Sequence, residues 1–235
     1  MGRLGLLLLG LFWANTAVAQ CRQALALGLD VSGSVDAAEY QLQIAGLANA
    51  LNNAEVRNAL LAMPSAPVVL AVYEWSGPED QRLLLDWTRI TSGEVLDRAI
   101  AQIGGTGRAT ASPGTALGTA IRFGTVLVRR QNECWKRTLD ISGDGKSNMG
   151  PHPRETSELA RLSGLTINAL VVGADAPKIS DARQVEIAEL SSYFRAYVIT
   201  GADSFVQTAL GFEAYEDAMT RKLLRELQGL ALSSR

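Results

Sequence analysis

The chain has 235 residues, of which 47% are hydrophobic and 20% charged, so it holds enough apolar material for one sizeable core. Its 22 Lys and Arg residues against 24 Asp and Glu residues give a net charge of -2, with no long run of either sign. We therefore expect one globular domain over residues 20–235 and no nucleic-acid partner.

The N-terminus carries the pattern of a secretory signal peptide over residues 1–19. Arg3 precedes an apolar run at 4–13, and alanines 17 and 19 supply the small residues that determine cleavage. We predict a mature domain that begins at Gln20, is periplasmic or secreted, and has no membrane span. One alternative is an uncleaved anchor, although the run is shorter than the ~20 residues of a spanning helix. Another is lipid attachment at Cys21, which needs a small residue in place of Gln20.

The only two cysteines, Cys21 and Cys134, each precede a strand-like run. In an oxidising compartment such a pair predicts a single disulfide. If the two strands are parallel neighbours, the sulfurs lie side by side at their N-terminal ends. Two buried free thiols are the alternative.

Strand-like and helix-like segments alternate along the chain, which predicts an α/β fold of Rossmann-like topology, with a mostly parallel sheet covered by helices on both faces. In chain order the predicted elements are a strand at 24–29, a helix at 37–52, strands at 68–75 and 83–87, helices at 93–103 and 115–129, a strand at 138–141, a helix at 154–162, a strand at 166–172, a helix at 181–190, a strand at 193–199 and a helix at 212–228.

Local patterns also predict a helix cap, an edge hairpin and the two faces of the last helix. Asp36 and Glu39 are spaced as a capping box for the first helix. The strands at 68–75 and 83–87 flank a Ser-Gly-Pro turn and are predicted to form an antiparallel hairpin at the sheet edge. The last helix is predicted to end at Gly229. Its predicted inner face carries Phe212, Tyr215, Met219, Leu223 and Leu227, and its predicted water-facing side carries Arg221, Lys222 and Arg225.

Two aspartates follow predicted strands at their carboxyl ends, where open parallel sheets bind ligands. Asp30 and Asp144 would repel each other there, and no Lys or Arg lies within either motif to neutralise them. A bound cation is the simplest resolution.

The residues near these ends offer only oxygen ligands, which suit Mg²⁺, Mn²⁺ or Ca²⁺. The predicted ligands are Asp30, Ser32, Ser34, Thr115 and Asp144. A chain that leaves a strand can turn so that residues i, i+2 and i+4 converge, and Gly33 permits the tight bend. Thr106 or Thr110 replaces Thr115 if the glycine-rich loop is shifted, and each motif taken singly is also explained by helix capping.

These residues resemble the metal-ion-dependent adhesion site (MIDAS) of von Willebrand factor A domains. The match comprises 30–34, the threonine that opens 115–121, and Asp144 with Gly145, in the family's order, and the resemblance spans about 24–199. It implies that the two serines and Thr115 coordinate Mg²⁺ or Mn²⁺, with Ca²⁺ less expected. It also implies that the aspartates hold coordinating waters, and that an acidic residue of a protein partner completes the coordination.

The sequence departs from the family pattern at Leu117 and Gly143, where the family often has threonine, although neither change removes a ligand. Residues 73–77 and 221–227 resemble an exported bacterial subgroup of the same family. Within the first stretch, Glu74 and Trp75 end a strand near the metal face. They form either a partner-binding rim or an edge-strand packing pair.

Enzymatic functions fit the sequence less well than a binding function, and we expect no catalytic activity. An aspartyl-phosphate hydrolase with Asp30 as nucleophile would need a second aspartate where Ser32 stands. A serine hydrolase would need a base, and the sole histidine, His152, lies between two prolines in an expected exposed loop. Residues 145–147 imitate a phosphate-binding loop, but Asp140 occupies the position of the required glycine. A metal-assisted hydrolase and a structural domain with a purely stabilising cation remain the alternatives.

Overall fold

A six-stranded sheet forms the centre of the computed structural model, which describes residues 21–173 and 180–228. The strands are β1 (Gln23–Asp30), β2 (Val68–Trp75), β3 (Gln81–Arg89), β4 (Lys136–Gly143), β5 (Thr166–Val172) and β6 (Val206–Ala209). Their order across the sheet is β3-β2-β1-β4-β5-β6. β2 and β3 pair antiparallel at one edge, and the other neighbouring strands pair in parallel. The predicted fold class and the edge hairpin are confirmed.

Helices cover both faces of this sheet. They are α1 (Ala37–Asn52), α2 (Ala54–Leu61), α3 (Gly93–Gly104), α4 (Leu117–Arg129), α5 (Pro153–Leu162), α6 (Ser180–Tyr197) and α7 (Tyr215–Gln228). One core lies between the sheet and α1, α2, α3 and α7, and the other between the sheet and α4, α5 and α6. Central strands such as β1 and β2 are buried on both sides, which explains why their sequences are nearly continuous apolar runs.

The capping box of α1 forms as predicted. The Asp36 carboxylate accepts the Ala38 and Glu39 backbone N–H groups at 2.7 and 2.9 Å, and the Glu39 carboxylate accepts the Asp36 N–H at 2.7 Å. A second helix, α2, was not predicted. It begins directly after Asn53, whose side chain accepts the Glu55 N–H at 2.9 Å and so caps it.

The predicted strand at 193–199 is wrong, because most of this segment belongs to the end of α6. Ile187, Leu190, Phe194 and Val198 recur at helical spacing and are all buried against the sheet. The edge strand is instead the short β6, four residues long and largely half-buried. A 3-10 turn at Phe212–Ala214 then leads into α7, which therefore begins three residues later than predicted.

The water-facing side predicted for α7 is also wrong at one position. Lys222 is fully buried, whereas Arg221 and Arg225 are exposed as predicted. The predicted inner residues Tyr215 and Met219 do pack in the core. Lys222 lies three residues after Met219, so it falls on the same face of the helix.

The predicted disulfide joins Cys21 to Cys134, with 4.6 Å between their Cα atoms. It lies at the amino-terminal ends of β1 and β4, which are neighbours in the sheet, and this is the arrangement that the sequence predicted. Within residues 21–173 and 180–228, no helix has the length and apolar character needed to cross a bilayer. The predicted signal peptide and the predicted stop at Gly229 lie outside the described residues.

Candidate metal centre

The loop after β1 folds back on Asp30, the last residue of that strand. The Ser32 N–H donates to Asp30 Oδ1 at 2.9 Å, and the Gly33 N–H donates to the Pro113 carbonyl at 3.0 Å. A Cβ atom at position 33 would lie 2.7 Å from Pro113 Cβ. Glycine is therefore needed here because the loop that precedes Thr115 passes against it.

Hydroxyl groups connect Asp30 to the loop after β4. Ser34 Oγ donates to Asp144 Oδ1 at 2.7 Å, and the Ser32 and Ser34 hydroxyl oxygens are 3.2 Å apart. A Cβ atom at Gly143 would lie only 3.4 Å from Asp30 Oδ2, so the end of β4 passes close to the Asp30 carboxylate. Four of the five predicted ligands thus form one connected cluster at the carboxyl edge of neighbouring strands.

Thr115 lies in the loop two residues before α4, not at the helix start that the sequence predicted. Its N–H donates to Asn148 Oδ1 at 2.9 Å, and its carbonyl accepts the Asn148 N–H at 2.9 Å and the Ser147 hydroxyl at 3.2 Å. A Cβ atom at Gly145 would lie 4.0 Å from Thr115 Cγ2. Thr115 is therefore held against the loop that carries Asp144, whereas the hydroxyl of the alternative, Thr106, donates to the Gln102 carbonyl of α3 at 3.0 Å.

The two carboxylates of this cluster resist being charged together. Asp30 is 1% exposed, and its Oδ2 atom has no hydrogen-bond partner among the described residues. Burial, followed by the charge of Asp144, raises the pKa of Asp30 to about 8. Burial also raises the pKa of Asp144, against the hydrogen bond from Ser34. Because an unpartnered buried carboxylate is costly, the cluster favours a positive charge beside Asp30.

The donor set fits a hard divalent cation. It consists of two carboxylates and three hydroxyl groups, and such oxygen-only sites suit Mg²⁺ and Mn²⁺. Asp30 Oδ2 is a buried acceptor still free to bind, and the exposed Ser34 leaves the cluster open to solvent. The residues present are therefore compatible with a cation that is reachable from outside.

Three residues that support the cluster were missed by the sequence reasoning. Gln43 Nε2 donates to the Asp30 carbonyl at 2.9 Å, and the Arg108 guanidinium approaches the Ser32 carbonyl at 3.4 Å. The third is Asn148, which holds Thr115. Gln43 carried a signal, since it lies next to Ile44 on the buried face of α1. For Arg108 and Asn148, both in loops, no spacing rule points to these contacts.

Of the two interpretations of Glu74 and Trp75, the burial of both residues favours the edge-strand packing pair over the partner-binding rim, because they are 3% and 0% exposed. The Glu74 carboxylate accepts the Arg82 Nε–H at 2.7 Å and the Tyr40 hydroxyl at 3.2 Å. These hydrogen bonds join β2 to β3 and to α1 within the fold. His152 is exposed as predicted. Its Nδ1 accepts the Arg154 N–H at 3.2 Å, which caps the start of α5.

The fold is similar to that of solved von Willebrand factor A and adhesin structures. A pilus adhesin, SpaC from Lactobacillus rhamnosus GG, matches with a TM-score of 0.61 and 12% identity over 89% of this chain and 30% of its own. Proximal thread matrix protein 1 from the mussel byssus, solved with zinc in its MIDAS motif, matches with a TM-score of 0.59 and 15% identity over 89% of this chain and 46% of its own. A von Willebrand factor type A protein from Catenulispora acidiphila matches with a TM-score of 0.57 and 14% identity over 88% of this chain and 43% of its own.

The chain belongs to the family described as "Protein of unknown function (DUF1194)", whose model matches residues 20–231. No curated protein matches the sequence. The chain spans less than half the length of the three solved structures, and at these identities the likeness shows the fold alone.

Proposed function

We propose that this domain binds a protein partner through one divalent cation, Mg²⁺ or Mn²⁺. The residues that would hold it are Asp30, Ser32, Ser34, Thr115 and Asp144. The observation that carries the proposal is the cluster around Asp30, a buried carboxylate with one unpartnered oxygen beside a second carboxylate. No cationic side chain of the described residues forms an ion pair with either acid.

The mixture of ligands suits recognition of an acidic group. Hydroxyl groups are neutral ligands, so a cation bound by Ser32, Ser34 and Thr115, with the aspartates acting largely through water, keeps net positive charge. When bound, it supplies an electrophilic position that accepts a carboxylate oxygen. The exposure of Ser34 leaves room for that oxygen to come from a partner protein.

Two proteins of similar fold support the proposal. The mussel byssus protein has zinc in a MIDAS motif, and SpaC is an adhesin. For this chain we propose a cation-dependent interaction with a protein, and the predicted signal peptide would bring it outside the cytoplasm. The Cys21–Cys134 disulfide supports that location, since disulfides persist in oxidising compartments.

We also propose that the domain is a binding module without catalytic activity. Its sole histidine caps α5 and is engaged with the Arg154 backbone, so it does not serve as a base for either serine of the cluster. Turnover of a chromogenic phosphate or ester by the Mg²⁺-loaded protein would contradict this proposal.

The binding test has two parts. Calorimetric titration with Mg²⁺ and Mn²⁺ is expected to show one site in the wild type and none in Ser32→Ala, whereas Ser192→Ala, an exposed serine of α6, keeps the site. A pull-down from an envelope extract then compares the same proteins with and without chelator. We expect a partner that is retained only with the cation and lost when one of its own acidic residues is replaced.

Two results would overturn the proposal. Absence of cation binding would remove the site itself. Cation binding that raises the melting temperature, with no partner captured in a cation-dependent manner, would leave only a stabilising ion between the loops.

A further inference from the structure

An apolar groove lies between α4 and α5, on the face of the sheet opposite α7. Three of the large apolar side chains that line it, Val126, Leu159 and Leu162, are 51%, 61% and 69% exposed. Leu159 and Leu162 are three residues apart on α5 and so lie on the same side of that helix. Exposed apolar side chains that gather in a concavity mark a binding surface more than scattered ones do.

Basic residues border the groove on its α4 side. Arg122, Val126 and Arg129 are spaced i, i+4 and i+7 and form one stripe along the helix. Both arginines are exposed, and neither forms an ion pair within residues 21–173 and 180–228. The α4 sequence contains no Asp or Glu, although the whole chain carries a net charge of -2. The α4 side of the groove is therefore positively charged, whereas α5 carries both acidic and basic residues.

One buried polar atom at the groove has no partner. Thr125 lines the groove and is 8% exposed, and its hydroxyl makes no hydrogen bond with any described residue. A buried hydroxyl without a partner costs free energy unless a ligand or water satisfies it. This oxygen is closed to solvent, so a ligand in the groove would be held by the apolar side chains and the two arginines.

We propose that this groove binds an acidic amphipathic helix of a partner protein. Its apolar side chains would contact Val126, Leu159 and Leu162, and two carboxylates would pair with Arg122 and Arg129. The two arginines are seven residues apart, or about 10 Å along the helix axis, so acids two turns apart on a partner helix match them. The groove shares no residue with the proposed ligands of the cation and forms a separate surface.

The shape of the surface favours a helix over a lipid bilayer. A groove between two helices receives side chains, as in known helix-in-groove complexes. A membrane surface instead requires apolar side chains that project beyond their surroundings.

A designed probe tests this proposal. The probe is a helical peptide of about 18 residues with two adjacent leucines and two glutamates seven positions apart on one face. We expect fluorescence anisotropy to show binding to the full protein and none for the same peptide with lysines in place of the glutamates.

Reversal of both charges, Arg122→Glu with Arg129→Glu, is expected to weaken binding about tenfold or more. The matched control is Arg98→Glu, an exposed arginine on α3 in the other helix layer, and it leaves binding unchanged.

Because Arg122 and Arg129 are exposed, the double variant is expected to fold, which circular dichroism checks. Leu159→Asp gives a second, charge-independent readout and is also expected to weaken binding. No binding of the glutamate peptide, or equal binding by the double variant, would overturn the proposal. Arginine-dependent binding to vesicles of anionic phospholipid, without peptide binding, would assign the groove to a membrane. Self-association lost in Leu159→Asp would assign it to a second copy of the chain.

Discussion

Two pairs of acidic residues are withdrawn from water in this domain, and they differ in how their charge is balanced. In the first pair, Asp140 of β4 and Glu226 of α7 share the buried Lys222, whose Nζ lies 2.5 Å from Asp140 Oδ2 and 2.8 Å from Glu226 Oε1. In the second pair, neither Asp30 nor Asp144 forms an ion pair with a Lys or Arg within residues 21–173 and 180–228. The interior pair thus has a cation from the chain itself, and at the sheet edge we propose that an external cation takes the corresponding position.

The surroundings of the two pairs agree with this difference. Asn168 Nδ2 also donates to Glu226 Oε1 at 2.6 Å, and the whole cluster is enclosed between the sheet and α7. Burial raises the pKa of Asp140, and the Lys222 ammonium opposes that increase. At the sheet edge, burial raises the pKa of Asp30 and only hydrogen bonds oppose this increase. One of them is donated by the Ser32 N–H to Asp30 Oδ1. Hydrogen bonds alone do not neutralise a second carboxylate beside it.

The largest effect is expected for removal of the interior cation. Lys222→Met leaves Asp140 and Glu226 buried without a counter-charge, and we expect the free energy of unfolding to fall by about 3–5 kcal/mol. Urea denaturation measures this, with the exposed neighbour Arg221→Met as control. Equal stability of the two variants would mean that Lys222 does not neutralise the pair.

A smaller and opposite response is expected at the sheet edge. In chelator at neutral pH the folded wild type must hold a proton on Asp30, because the pKa of this carboxyl is raised to about 8. Asp30→Asn removes that cost and keeps an oxygen for the Ser32 N–H, so in chelator the variant is at least as stable as the wild type. Stabilisation by Mg²⁺ at 100 times its dissociation constant, about 2.7 kcal/mol in the wild type, is expected to be lost. Thermal unfolding with and without Mg²⁺ measures both effects. A variant that remains Mg²⁺-responsive would show that Asp30 is not needed for the site.

The pH dependence of stability should report the raised pKa of Asp30 when the wild type is compared with Asp30→Asn. An unfolded aspartate has a pKa near 3.9, whereas burial and Asp144 raise the pKa of folded Asp30 to about 8. Between these values the folded state holds a proton that the unfolded state has lost, so in chelator the free energy of unfolding falls as pH rises. Asp30 is expected to contribute at most about 1.4 kcal/mol per unit to this slope between pH 6 and 7. Asp140, whose pKa is raised to about 7, adds to the slope with the same sign, so the share of Asp30 is the difference between the wild type and Asp30→Asn.

Because a cation favours ionised Asp30, the stabilisation by Mg²⁺ grows over the same pH range. Urea unfolding across a pH series, with and without Mg²⁺, tests this, and Asp30→Asn serves as control by removing the titrating group. A slope in chelator that is the same in Asp30→Asn as in the wild type would contradict the assignment.

The smallest effect concerns a residue that only positions a ligand. Asn148→Ala removes the hydrogen bond to the Thr115 N–H, and we expect a loss of about 1 kcal/mol in unfolding free energy. It is also expected to weaken Mg²⁺ binding, because Thr115 is no longer fixed against the Asp144 loop. The control is Asn49→Ala on α1, which removes an exposed hydrogen bond to Glu216 of α7. Unchanged Mg²⁺ affinity in Asn148→Ala would remove Thr115 from the site.

Much of this arrangement could be predicted from local sequence patterns. The bounds of α1, the edge hairpin and the disulfide were all predicted, because each depends on short-range spacing or on neighbouring strands. The strand predicted at 193–199 failed because aromatic and β-branched residues also fit the buried face of a helix, and the context of α6 decided between them. The spacing of Lys222 from Met219 indicates the buried face of α7. Lys222 was nevertheless predicted to face water, because lysine is rarely buried.

The clustering of the candidate ligands could be predicted from the sequence, whereas the residues that hold them in position could not. Asp30 and Asp144 follow strands whose order could be inferred, so their proximity followed from the sheet. The roles of Asn148 and Arg108 depend on the paths of two loops, which no periodicity encodes. The same limit explains why Glu74 and Trp75 were assigned a possible surface role although the edge hairpin buries them.

The most direct test of the central claim is anomalous diffraction from crystals of the full domain grown with Mn²⁺. We predict one strong manganese peak within about 2.0–2.6 Å of the hydroxyl oxygens of Ser32, Ser34 and Thr115, beside the carboxylates of Asp30 and Asp144. A map with no peak at this position, or with Thr115 too distant to share an ion with the two serines, would contradict the account.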